Sequence, residues 1–166
     1  FQVFYHLLEL VLGRRSRGFV PELCAARVDT VPVDYLAEAI YAINSKAGAV
    51  GSIFHLCSGT RAIELKSLAS TARLLFEKRG LHVPKSRSVP LPIFRAALSL
   101  CRLLPNDKVT RRVRSIEPFL QYLASPQIFD NGLSSEYLTS QGIVLPLPEN
   151  YLRPVIDFYL DSITRS

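Results

Sequence analysis

Residues 28–40 read Val-Asp-Thr-Val-Pro-Val-Asp-Tyr-Leu-Ala-Glu-Ala-Ile, and this stretch restricts the fold more than any other in the chain. Valines around Thr30 favour a strand, and Pro32 ends it because proline cannot donate to a ladder. Asp34 is then placed to cap a helix over residues 35–44, with Glu38 near its positive end and Leu36, Ala39, Ile40 and Ile43 on one face. A similar pair follows. Ser52, Ile53, Phe54, His55, Leu56 and Cys57 form a compact apolar run, expected as a strand buried on both sides in a parallel sheet. A helix over 65–78 comes next, with Leu65, Leu68, Ala69, Ala72, Leu75 and Phe76 inward and Gly80 as its terminator. Strand–helix–strand–helix order predicts an α/β fold with two short parallel strands.

The flanks are more helical. Phe1, Phe4, Tyr5, Leu8 and Val11/Leu12 recur at helical spacing until Gly13 and the run Arg14-Arg15-Ser16-Arg17-Gly18. Beyond Leu81, Pro84, Pro90 and Pro92 hold the backbone extended, and Val83 and Val89 are expected in a short edge strand. A helix over 93–104 should stop at Pro105, and a basic helix over 107–123 should bend at Pro118. Residues 134–140 predict a short helix, and Tyr151, Leu152, Val155, Ile156, Tyr159, Leu160 and Ile163 a closing one. The expected organisation is a single domain over 1–166. Residues 1–80 carry the sheet and its helices, and 81–166 a mainly helical subdomain.

Composition narrows the class. The 166 residues are 48% hydrophobic, enough for one sizeable core and too apolar for disorder. No apolar run reaches the roughly 18 to 20 residues that span a bilayer, and no secretory signal opens the chain. A cytoplasmic protein is expected. Cys24, Cys57 and Cys101 lack the pairing of a disulfide framework or zinc site and read as small buried apolar residues. No methionine occurs, so the chain is expected to be a piece of a longer protein. No three glycines fall in the register of a dinucleotide-binding turn. None of the seven tyrosines has a lysine four residues on.

The Val31-Pro32-Val33-Asp34-Tyr35 core, Phe129-Asp130-Asn131, the turn Gln141-Gly142-Ile143, Pro146/Pro148 and the helix with Tyr151, Leu152 and Tyr159 resemble, in order, the downstream half of extended short-chain dehydrogenases/reductases. The likeness is to the thioester reductase and fatty acyl-CoA reductase branch. It implies the downstream portion of a Rossmann-type enzyme, followed by a helical substrate subdomain. In that family the upstream half binds NADP or NAD, and the downstream half accepts an acyl thioester on coenzyme A or on an acyl or peptidyl carrier protein. Reduction gives an aldehyde or alcohol. This chain lacks the glycine fingerprint and the family's catalytic Tyr-x-x-x-Lys, so it is expected to bind no coenzyme alone and to contribute no catalytic residue. The alternatives are a non-catalytic acyl- or protein-binding module derived from this half-fold, or part of another extended family member such as a sugar epimerase.

Candidate residues follow, each beside a plainer reading. Phe4, Tyr5, Leu8, Phe94 and Leu98 can line an acyl tunnel, although apolar helical stripes are usually core. Lys108, Arg111, Arg112 and Arg114, and also Arg14, Arg15 and Arg17, can meet the phosphates of coenzyme A or an acidic carrier; the plainer reading is a solvated face. Net charge is +6, but no nucleic-acid motif accompanies the arginines, so nucleic acid is not an expected partner. Asp29 and Asp34 can be imagined as a carboxylate pair, but Asp34 is explained as a cap. His55, inside an apolar run, reads as a core histidine rather than a base. No metal site is expected.

Overall fold

A computed structural model describes residues 2–23, 25–47, 49–101, 117, 120–125 and 128–165. The fold is mixed α/β and mostly helical, with two short parallel strands. In chain order the elements are α1 Gln2–Val11, β1 Phe19–Pro21, β2 Arg27–Val28, α2 Val33–Asn44, a 3-10 turn Gly59–Arg61, β3 Ile63–Glu64, α3 Leu65–Lys78, β4 Arg87–Val89, α4 Leu91–Cys101, α5 Gly132–Ser140 and α6 Pro148–Thr164. They belong to two compact units, each drawn from separate stretches. Unit 1 takes Phe1–Arg27, Glu64–Pro126 and Val155–Ser166; unit 2 takes Val28–Ile63 and Gln127–Pro154.

In unit 1, β1 and β4 pair in parallel, with Phe19 opposite Arg87 and Pro21 opposite Val89. The backbone closes the pair at both ends: Arg87 N–H donates to Gly18 O at 2.7 Å and Glu22 N–H to Val89 O at 2.8 Å. Gly18 is obligatory here. Its φ is +94°, and a Cβ would sit 2.5 Å from the Lys85 carbonyl oxygen. Around this pair Leu10, Phe94 and Leu120 form a buried cluster, against which Leu23, Val89, Leu91 and Leu98 pack. α3 buries Leu65, Leu68, Ala72, Leu75 and Phe76. It ends where Gly80, at φ +70°, lets its own N–H reach Glu77 O and the Leu81 N–H reach Phe76 O, satisfying the last carbonyls. The helix over 65–78 and its glycine terminator were both predicted.

Unit 2 is smaller, with Val28, Ala39, Leu138, Leu145 and Leu152 in its core. Here the structure corrects several expectations. The run 52–57 forms no strand, and Ile53 is 78% exposed. Its polar atoms are used elsewhere: Asn131 Nδ2 donates to Cys57 O at 2.8 Å, and His55 Nδ1 lies 2.9 Å from Asp130 O. No strand among the described residues ladders with it. The strand expected up to Val31 is only Arg27–Val28, which pairs with Ile63–Glu64. The parallel pair is instead β1 with β4, two segments next to prolines. α2 starts earlier than predicted, with Pro32 at its N-cap. Asp34 therefore sits in the first turn, where Oδ1 accepts the Tyr35 N–H at 3.0 Å. Ile40, placed on the inner face by its spacing, is 58% exposed. Val83 is buried but precedes β4.

Candidate functional site

The site begins with the outward face of α3. Lys66, Ala69, Ser70 and Arg73 recur every three or four residues and so share one side of the helix. Ala69 is small, and across from it stand Leu10 and Val11 of α1, Val20 of β1 and Leu23. Together these residues wall a mainly apolar groove of about 340 Å³. A second, more open cavity of about 600 Å³ shares Val11, Val20, Lys66 and Ala69 with it and extends past Leu74 to Ser86. Cavities of this size hold small-molecule ligands, most of whose contacts are apolar. The polar groups lie at the edges. Arg73 is fixed there, donating to Pro84 O at 3.1 Å and Ser86 Oγ at 2.6 Å. Lys66 is exposed, and among the described residues no carboxylate pairs with it. Among the described residues Glu22 adds the one carboxylate of the smaller groove.

The five residues proposed from sequence as an acyl lining are placed as follows. Leu8 is fully buried, Phe94 is in the cluster with Leu10 and Leu120, and Leu98 packs against that cluster. Tyr5 stacks on Tyr159 with ring centres 4.3 Å apart, and Phe4 meets Tyr5 edge-on at 6.3 Å. α1 brings Leu10 and Val11 to the groove instead. Val20, Leu23 and Lys66 were not anticipated. Their signal in sequence is faint, because only β1–β4 pairing carries Val20 opposite α3.

Beside the Tyr5 stack lies a polar network within unit 1. Glu9, 9% exposed, accepts from Arg14 at 2.8 Å and from the Tyr159 hydroxyl at 2.9 Å. Arg14 also stacks over Phe76, 4.9 Å from the ring centre. Burial and then the hydrogen bond to Glu9 push the Tyr159 hydroxyl from 10.0 up to about 12. Arg15 contacts His6 Nδ1 at 2.6 Å. Burial, followed by the Arg15 charge, lowers the His6 pKa. Of the basic run, Arg14 and Arg15 thus turn toward the protein, and Arg17 remains exposed with φ +52°. Lys108, Arg111, Arg112 and Arg114 lie outside the described residues.

In unit 2 the two aspartates hold separate backbone groups. Asp29 accepts the N–H of buried Ser58 at 2.8 Å, and Ser58 Oγ donates to Thr30 O at 2.6 Å. Tyr151 also donates to Thr30 O, at 2.7 Å. Asp34 serves Tyr35, as above. His55 is exposed rather than in the core, with its ring edge toward Phe129. Burial and then the Asp29 charge push the Cys57 thiol upward, away from nucleophile chemistry. Among the described residues no three of His, Cys, Asp and Glu gather as a metal site, and no helix is long and apolar enough to cross a membrane. Comparison with protein families, with curated proteins and with solved structures finds no match to this chain.

Proposed function

We propose that this chain is the substrate-binding part of an NAD(P)H-dependent reductase acting on an acyl thioester, and that the groove between α1, β1 and α3 receives the acyl chain. The observation that supports this reading is the groove itself. Leu10, Val11, Val20, Leu23, Leu65 and Ala69 present apolar surface, while Lys66 stands at its edge without a carboxylate partner among the described residues. An acyl chain gains from the apolar wall, and a cation at the rim suits the anionic carrier to which a thioester is attached.

The test is binding of acyl-CoA of graded length to the purified chain. Burying a methylene contributes about 0.8 kcal/mol, so affinity should rise by up to about fourfold per methylene added to the chain until the groove is full. Ala69→Phe should fill the groove and abolish this length dependence. Lys66→Glu should weaken acyl-CoA more than the free fatty acid. Affinity independent of chain length, or unaltered by Ala69→Phe, would remove the acyl reading.

A further inference from the structure

Unit 2 carries a cavity of opposite character. It holds about 90 Å³ and is lined mainly by polar side chains, among them Tyr35 of α2, Thr60 and Arg61 of the 3-10 turn, and Ser135 and Thr139 of α5. Ser135 and Thr139 are four residues apart on a helix and so point to the same side. The space is small and suits a polar group of a few heavy atoms.

The charges here are one-sided. Arg61 donates through Nη1 to Leu145 O at 2.9 Å, which fixes the guanidinium at the wall while its other N–H groups remain. Among the described residues no carboxylate pairs with Arg61, and none lines the cavity. The neighbouring carboxylates are already engaged: Asp29 Oδ1 accepts the Ser58 N–H at 2.8 Å and Asp130 Oδ1 the Gly132 N–H at 2.9 Å. The turn is also closely packed against Asn131. Gly59 has φ +55°, and a Cβ there would lie 2.6 Å from Asn131 Oδ1, while Asn131 is tied to Cys57 O. Turn and α5 are therefore held close enough to present their hydroxyls together.

We infer that this cavity is a binding site for a small oxyanion, a carboxylate or phosphate group, held by the Arg61 guanidinium and by hydroxyl donors from Tyr35, Ser135 and Thr139. A guanidinium supplies paired donors that match such a group, and hydrogen bonds between ionised partners are shorter and stronger than those between neutral ones. The site lies within unit 2 and is independent of the groove assigned to the acyl chain.

The test uses the isotope-labelled full chain, titrated separately with inorganic phosphate and with acetate at ionic strength held constant by chloride. Saturable shifts should appear at millimolar concentration for the amides of 59–61 and 135–139 and for the Arg61 side chain, with at least one of the two anions. A response to phosphate alone assigns a phosphoryl group, and a response to acetate a carboxylate. Arg61→Gln should abolish saturation, Arg61→Lys should weaken it several-fold, and Arg95→Gln, an exposed cation in unit 1, should leave it unchanged. If Arg61→Gln disturbs the fold, Thr139→Val on the exposed side of α5 replaces it and must weaken binding severalfold. Saturation by neither anion, or undiminished binding in the folded variants, overturns the site.

Discussion

Glu9 brings a carboxylate into the interior of unit 1, and Arg14 and Tyr159 both donate to its Oε1. The arrangement makes Tyr159 a reporter of the network. Its proton is held more tightly in the folded chain than in the unfolded one, because burial penalises the phenolate and because the hydroxyl donates to Glu9, whose charge would face the new one. A raised folded-state pKa contributes stability that is complete below pH 10 and is lost as pH climbs from 10 toward about 12. Thermal unfolding of the natural chain should therefore fall more steeply across that window than unfolding of Tyr159→Phe, which has no proton there to lose. Near neutral pH the same substitution should cost about 1.5 kcal/mol, the lower end for a hydrogen bond to a charged group, since Arg14 still serves Glu9. Parallel alkaline slopes for the two proteins would mean that the hydroxyl's surroundings differ from those described.

At the scale of elements, α2 shows how a local signal can be read correctly in kind and displaced in detail. The step from strand through proline to helix is present, but Pro32 rather than Asp34 occupies the N-cap. Proline's fixed φ suits the boundary, and Asp34 then acts from inside the first turn, through the Tyr35 N–H and the helix dipole. Stability should thus rank natural chain, then Asp34→Asn, then Asp34→Ala. The asparagine variant should lose about 0.3–1 kcal/mol in a salt-sensitive way, since it keeps the acceptor but not the charge; an asparagine variant as stable as the natural chain at low salt would assign the effect to the hydrogen bond alone. Helices such as α3 were legible because their apolar stripe and glycine terminator are local. The run 52–57 was misleading because apolar character says nothing about which atoms satisfy the backbone. There Asn131, more than seventy residues away in sequence, supplies the donor. β1 was invisible, since it is three residues long and gains its strand character only from β4, of which Val89 was expected in a short edge strand. The groove inherits that difficulty: Val20 and Ala69 become neighbours of one cavity only once the pair has formed.

For the molecule as a whole, the question is what chemistry a chain with these two cavities can carry out alone. The groove of unit 1 offers apolar contact with Lys66 and Glu22 at its edge; the cavity of unit 2 offers hydrogen-bond donors and a guanidinium. Binding and orientation are within reach of such groups; a Rossmann-type dinucleotide site uses closely spaced glycines to approach the pyrophosphate, and the sequence has no such register. Protonation of the forming alkoxide needs a positioned acid, and Tyr159, the most strongly raised hydroxyl, already donates to Glu9. The chain mixed with NADPH and an acyl-CoA should accordingly bind the thioester yet leave the nicotinamide absorbance at the rate of a protein-free blank. Supplying in trans, or by fusion at Phe1, a partner that contains a glycine-rich strand–helix turn and Tyr-x-x-x-Lys should restore NADPH oxidation. That oxidation should be lost again in Ala69→Phe and retained in Arg95→Gln. Turnover by the chain alone would show that it holds its own coenzyme site and would end the reading of a substrate-binding part; a fused reductase indifferent to Ala69→Phe would instead move the acyl chain out of the α1–β1–α3 groove.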